Sequence, residues 1–388
     1  MSKDVFRRRS LHGGALGLAC LLVGLLFDRE RFFQSYLLGF LPFASLSLGA
    51  LALLLLHYVA GGEWGLVIRR ILEAASRLFP LLALLFVPVA VGLPWIYEWV
   101  EPASDPVLAH KQGYLNATFF LARAVAYFGV WILIAKRLER LSRLSDEAGG
   151  RKVTERLQAL SAPGLLVYGL TVTFAFIDWA MSIEPHWYST IYGMRVMVSQ
   201  VLSALVFSVL ALHWLSKESP LREAIRPHHF HSLGNLILAF VMLWAYLAFS
   251  QYLIIWSGNL PEETAYYRNR TGGWEALLLA LVLFHFAVPF LLLLSRAVKA
   301  RPAVLASIAG MLLFLRFLDE LWLVAPAFHP RELSLHWMDV ASLVGVGGIW
   351  LWAFLGELPK MPLLPKSDVR FERAPGREVT PMEIHGAT

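Results

Sequence analysis

Cysteine is almost absent from this chain: Cys20 is the only one in 388 residues. One thiol excludes an internal disulfide, a protein-held iron–sulfur cluster and a cysteine-rich zinc site, and no Cys-x-x-Cys-His is present to attach a c-type haem. Charge is also scarce, at 16% of residues against 57% hydrophobic. A Gly-rich phosphate loop, a nucleophile elbow and a zinc-protease motif are all missing, which removes the usual support for an NTPase or hydrolase. The net charge of +6 raises nucleic acid as a partner, but the basic residues alternate with apolar runs. That pattern reads as membrane orientation rather than a nucleic-acid surface.

What the chain has in abundance is apolar sequence in blocks near the ~20 residues that carry a helix across ~30 Å of hydrocarbon. Continuous blocks such as residues 277–294 argue against a barrel, whose strands alternate, and an open sheet would leave its edge groups unpaired in lipid. The expected fold is all-α and polytopic. Its spans fall near residues 11–27, 37–57, 78–95, 117–135, 164–181, 190–215, 233–256, 274–294, 303–325 and 335–355. The first follows Arg7-Arg8-Arg9 like a signal peptide, but Phe27-Asp28-Arg29 offers no small-residue cleavage site, so it counts as a span. Ten spans occupy a domain of residues 1–358. Residues 359–388, with scattered charge and no apolar period, are expected to form an extended or disordered cytoplasmic tail.

With the N-terminus inside, 24 of the 34 Lys and Arg residues fall in cytoplasmic segments and 6 in outer loops. One missed helix would reverse every later loop, so the bias supports the orientation and the even span count together. It places both termini in the cytoplasm. Four basic residues remain within or beside spans: Arg77, Arg123, Arg195 and Arg316. Arg77 stands four residues after Glu73 at a cytoplasmic helix end, where it snorkels or pairs.

The other three lie in the outer halves of their spans, at the depth of Asp178, Gln251, Asp319 and Glu320. A mid-membrane ionisable group costs several kcal/mol unless it finds a partner or water, so such a gathering marks a functional region. In Arg316-Phe317-Leu318-Asp319-Glu320, one helix face holds an Arg–carboxylate pair with a carboxylate left over. Proton movement through Asp178, Asp319 and Glu320 stands beside a purely structural role as buried pairs. His186, in the short loop after Glu184 and Pro185, is placed to exchange protons at the surface, or else to cap a helix. His57, His213 and His285 carry no spacing that makes two of them face each other as b-type haem ligands, and His228, His229 and His231 read as an interfacial cluster.

Longer polar and aromatic stretches carry a family resemblance. These are Gly61 to Arg70, Tyr168 to Phe174 continuing through Asp178-Trp179-Ala180-Met181-Ser182-Ile183-Glu184-Pro185-His186-Trp187-Tyr188 to Gly193, Phe249 to Tyr252 with Gly258 to Thr264, and Arg316 to Pro326. On them the chain resembles the ActF subunits of bacterial alternative complex III, a quinol:electron-acceptor oxidoreductase, within the wider NrfD/PsrC-like group. The resemblance implies two four-helix bundles with a flanking pair, in the bacterial inner membrane beside a homologous larger membrane subunit. It also implies periplasmic partners carrying haem c and iron–sulfur clusters, quinol as the substrate of the complex, and no redox cofactor or metal in this chain. Quinol oxidation would sit chiefly in the companion subunit, with proton half-channels in both; Asp178, Arg316, Asp319 and Glu320 carry over only as candidates for such a path, and Arg123, Arg195 and His186 join them by their place in the sequence. The competing classes are a stand-alone secondary transporter and a scaffold subunit of another NrfD/PsrC-like oxidoreductase. A transporter would show broken helices in matching positions of two repeats, and the prolines of the third and eighth spans do not match.

Overall fold

The computed structural model describes residues 3–101, 105–148, 151–219 and 221–363, and every regular element among them is helical. The long elements are α1 (Lys3–Phe27), α2 (Arg29–Ala60), α3 (Glu63–Ser76), which continues through the short helices α4 (Phe79–Leu85), α5 (Val87–Val91) and α6 (Leu93–Ile96), α7 (Ala117–Ala148) and α8 (Arg151–Trp179). The second half holds α9 (Tyr192–Leu215), α10 (Pro227–Gly258), a loop helix α11 (Pro261–Asn269), α12 (Gly273–Ala280), α13 (Val288–Leu294), α14 (Pro302–Phe328) and α15 (Trp337–Glu357). Nine of these helical stretches are long and apolar enough to cross a membrane. The expected ninth span, residues 303–325, is α14, which stands outside that group and buries Arg316, Asp319 and Glu320. It still traverses the molecule. Before its start the Lys299 stem lies over Gly234 of α10, and beyond its end the Arg331 amide donates to the Asn269 carbonyl at 2.8 Å.

Helix starts follow local chemistry. A single residue, Asp28, separates α1 from α2 and caps α2 by accepting from the Arg31 amide at 2.9 Å. Pro227, Pro261 and Pro302 open their helices at positions whose N–H groups have no helical partner. The third pass departs from the single helix expected over residues 78–95. Pro80, Pro88 and Pro94 each sit in a first turn, so α4, α5 and α6 restart in succession. In the eighth pass, Leu281–Ala287 forms a π-helical segment just before Pro289. Proline cannot donate to the carbonyl four residues earlier, and a widened turn there is one way to absorb the defect.

The helices pack as two groups of four and a pair. In the first, α2 meets α3 to α6 and α8, and α7 packs on α4 and α8; in the second, α9 meets α10 and α14, and α12, the π segment and α13 close against α10 and α14. The almost wholly buried α2 joins the groups. At Gly49 a Cβ would come within 1.9 Å of the Gln200 carbonyl oxygen, so the α2 and α9 backbones touch there. The pair is α1 with α15. Here Gly14 and Gly17 lie on Gly345 and Gly348, and a Cβ on Gly17 would meet the Gly345 amide nitrogen at 2.6 Å. Small residues facing each other are the means by which membrane helices gain close van der Waals contact without a hydrophobic driving force between them, and here they stand three apart on each helix.

The chain stays packed for a few residues past the end of α15. Leu358–Lys360 forms a 3₁₀ turn and Met361 is buried, its sulfur 3.1 Å from Arg77 Nη1. Residues 364–388 of the expected tail lie outside the described residues.

Candidate functional site

The sequence candidates separate into distinct sites. On α8, Asp178 is fully buried and receives a forked pair from Arg123 of α7, Nε to Oδ2 at 2.8 Å and Nη2 to Oδ1 at 2.9 Å. The Tyr127 hydroxyl donates to the same Oδ2 at 3.0 Å. The Arg123 guanidinium lies over the rings of Tyr114 and Phe119, at 3.9 and 4.3 Å from their centroids. Bidentate pairing with aromatic stacking is the geometry that suits arginine and not lysine. Three donors nearly fill the hydrogen-bonding capacity of this carboxylate.

In the other group of helices Asp319 forms a node. Arg316 Nη1, one helical turn before it, donates at 2.6 Å, Arg195 Nη2 of α9 at 3.2 Å and Trp244 Nε1 of α10 at 3.2 Å. Arg316 Nε also reaches the Ser203 hydroxyl at 3.2 Å. Two guanidinium groups thus share one carboxylate. Glu320, the next residue, points instead toward α2, where the Ser45 hydroxyl donates to its Oε1. The leftover acid of the Arg316 to Glu320 stretch is therefore Glu320, held by a neutral donor. No hydrogen bond joins the Asp178 and Asp319 sites to each other among the described residues.

His186 belongs to neither site. It is half-exposed, with Nε2 3.1 Å from Asp105 Oδ2. Its neighbour Glu184 meets the buried Arg270, Nη2 to Oε2 at 2.8 Å, in a part-buried contact across two loops that no local spacing reports. Arg270 also donates to the Leu323 and Tyr266 carbonyls, each at 2.8 Å, and stacks on Tyr266 at 3.4 Å. Loop helix α11 is fastened to α14 in this way. Beside Tyr266, burial first and the Tyr266 phenol second push the Tyr267 phenol above its ordinary value, so it remains a proton donor.

At the opposite end of the bundle lies a cluster that the sequence reading passed over. Glu73 accepts from Arg69 Nε at 3.0 Å, Arg70 Nη1 at 2.6 Å and the Ser142 hydroxyl at 2.6 Å, and Arg70 also pairs with Asp146. The signal was present in the three- and four-residue spacing of Arg69, Arg70 and Glu73. Arg77, placed near Glu73 by its spacing, pairs instead with Glu357 at 3.2 Å and Glu139 at 3.6 Å. Among the described residues Glu63, His228 and His229 bring ligand atoms within 4.8 Å of one another and form the one group able to offer three ligands to a metal ion. His57 packs against Trp64 and His285 against Trp244, on different helices.

A cavity of about 650 Å³ opens beside the Asp319 node. Arg195 and Asp319 reach its wall, and the rest is mostly apolar and aromatic side chain from α10, α12, the π segment and α14. Close by, buried Gln251 has neither amide atom paired and buried His285 has neither ring nitrogen paired. No protein-family profile matches the chain, and no curated protein matches it in sequence.

Proposed function

We propose that this chain is a membrane subunit of a respiratory quinol:electron-acceptor oxidoreductase of the alternative complex III type. It lies in the bacterial inner membrane with both termini in the cytoplasm, beside a homologous larger membrane subunit. Haem c and iron–sulfur clusters belong to partner subunits on the periplasmic side, and the chain contributes a proton path reaching inward from that side. The observation that carries this reading is the Asp319 node with its neighbour Glu320. Three buried ionisable groups on one turn of α14, met by a fourth from α9, are costly in a membrane and mark a path for charge or protons. The node holds paired charge, while Glu320 holds a carboxyl group with no cation bonded to it among the described residues.

A scaffold role has its own support at Asp178, whose donors are so complete that the pair also fits a lock between α7 and α8. Gentle affinity purification of the tagged chain from its native membrane separates the classes. The oxidoreductase reading expects multihaem and iron–sulfur subunits in fixed stoichiometry and quinol oxidation by the eluate. Purification of the chain alone, or of a complex inert toward quinol, rejects it.

A further inference from the structure

Three apolar runs end together at the end of the bundle away from the Asp319 node. On the third pass the apolar sequence begins at Leu78, directly after Arg77; on α7 it stops at Ala135 and gives way to Lys136 and Arg137; on α15 it stops at Gly356, before Glu357. Residues from all three line one cavity of about 220 Å³, and its charged groups are Arg77, Lys136, Glu139, Arg143, Glu357 and Lys360. A membrane helix turns from apolar to charged where hydrocarbon gives way to headgroups, so this cavity stands at headgroup depth.

Its charges do not cancel. Four cations face two carboxylates, an excess of two positive charges. Arg77, its side chain buried, lies between Glu139 and Glu357 and pairs with both. At the rim Arg143 Nη2 donates to Glu139 Oε1 at 2.6 Å and Lys360 Nζ to Glu357 Oε1 at 2.5 Å, and both cations are half-exposed. Lys136 is exposed and joins none of these ion pairs. A guanidinium carries five N–H donors and an ammonium three, so the rim cations keep most of theirs for a further acceptor. Toward the hydrocarbon the surface is apolar. From Pro80 at the cavity wall, Leu84 and Val87 follow at four- and three-residue spacing, and from Lys136 on α7 come Leu133 and Gly129; all six are exposed, and α4 packs on α7 between them.

We propose that this cavity holds the headgroup of an anionic phospholipid, its phosphate on Lys136, Arg143 and Lys360 and an acyl chain along Leu84, Val87 and Leu133. The volume lies below the ~300–1,000 Å³ of drug-sized pockets, which suits a headgroup whose tail stays outside. Basic pockets between membrane helices hold anionic headgroups in this way. A zwitterionic lipid would bring one more cation to a cavity that already has two in excess. The lipid joins the third pass, α7 and the end of α15, and the assignment is independent of the oxidoreductase reading.

The test uses the full chain, with any subunits that copurify, in phosphatidylcholine vesicles containing a trace of phosphatidylglycerol with a diazirine on its acyl chain. Cross-linked peptides are mapped by mass spectrometry. Cross-links are expected on residues 79–88 and 129–136, displaced by excess unlabelled phosphatidylglycerol but not by phosphatidylethanolamine or inorganic phosphate. Lys136→Gln with Arg143→Gln alters two exposed side chains and leaves Arg77 between its carboxylates. Cross-linking there should fall about tenfold or more, each basic residue beside anionic lipid being worth roughly a factor of five. Equal displacement by phosphatidylethanolamine, displacement by inorganic phosphate, an even spread of cross-links over the perimeter helices, or full cross-linking in the double variant each overturns the assignment. The competition arm uses the unaltered chain, so it stands even if the variant fails to fold.

Discussion

At the scale of single residues, the sequence identified which polar groups lie in the membrane but not who pairs with whom. A pair of Arg316 with one of the two acids is legible because three- and four-residue spacings share a helix face, and the structure selects Asp319. Arg195 and Trp244 reach the same carboxylate from 124 and 75 residues away, and no local pattern reports such distances. Arg270, one of the six basic residues counted in outer loops, is buried and bonds Glu184 and the carbonyls of Tyr266 and Leu323. Arg270→Leu leaves Glu184 with the Asn269 amide but no cation and frees two backbone carbonyls. The expected cost is about 3–5 kcal/mol, the range for breaking a buried pair by removing one partner. Thermal unfolding in detergent should show it as a marked loss, while Arg151→Leu, which breaks an exposed pair with Glu155, should stay close to the unaltered chain.

At the scale of elements, apolar runs located the helices well because each must satisfy its own backbone in lipid, and hydrophobic length is written directly in sequence. Interruptions were harder. The prolines of the third pass were visible, but whether a proline bends a helix or restarts it depends on the neighbours that take up the freed carbonyls, which lie elsewhere in the chain. Glycine contacts were equally hidden: Gly14, Gly17, Gly345 and Gly348 are unremarkable until α1 and α15 are seen to touch. Gly17→Leu forces at least four additional heavy atoms between backbones already in contact and should detach α1. In a chain cut at a protease site engineered at Asp28, α1 is expected to copurify with the remainder in the unaltered background and to be lost in Gly17→Leu. Retention of α1 in the variant would show that the glycine seam does not hold the pair.

For the whole molecule, each group of four is built from helices consecutive in the chain, which turns back at every short connection, whereas the flanking pair joins the first long helix, α1, to the last, α15. Charge bias supplies the direction. Topology reporters placed after Lys366 and within residues 261–270 are expected to report the cytoplasm and the periplasm respectively, and equal periplasmic access at both would contradict the ten-pass orientation. The central claim is that the buried acids carry protons rather than only hold helices. The most direct test is the proton yield per quinol oxidised by the complex reconstituted in vesicles, for Glu320→Gln and Asp178→Asn. Glu320→Gln keeps an acceptor for the Ser45 hydroxyl and Asp178→Asn keeps the side-chain shape, and both remove the titrating group. Assembled complexes are expected whose proton yield per quinol falls, because the group that would take up and release the proton is gone. Unchanged turnover and unchanged proton yield in both variants would contradict it.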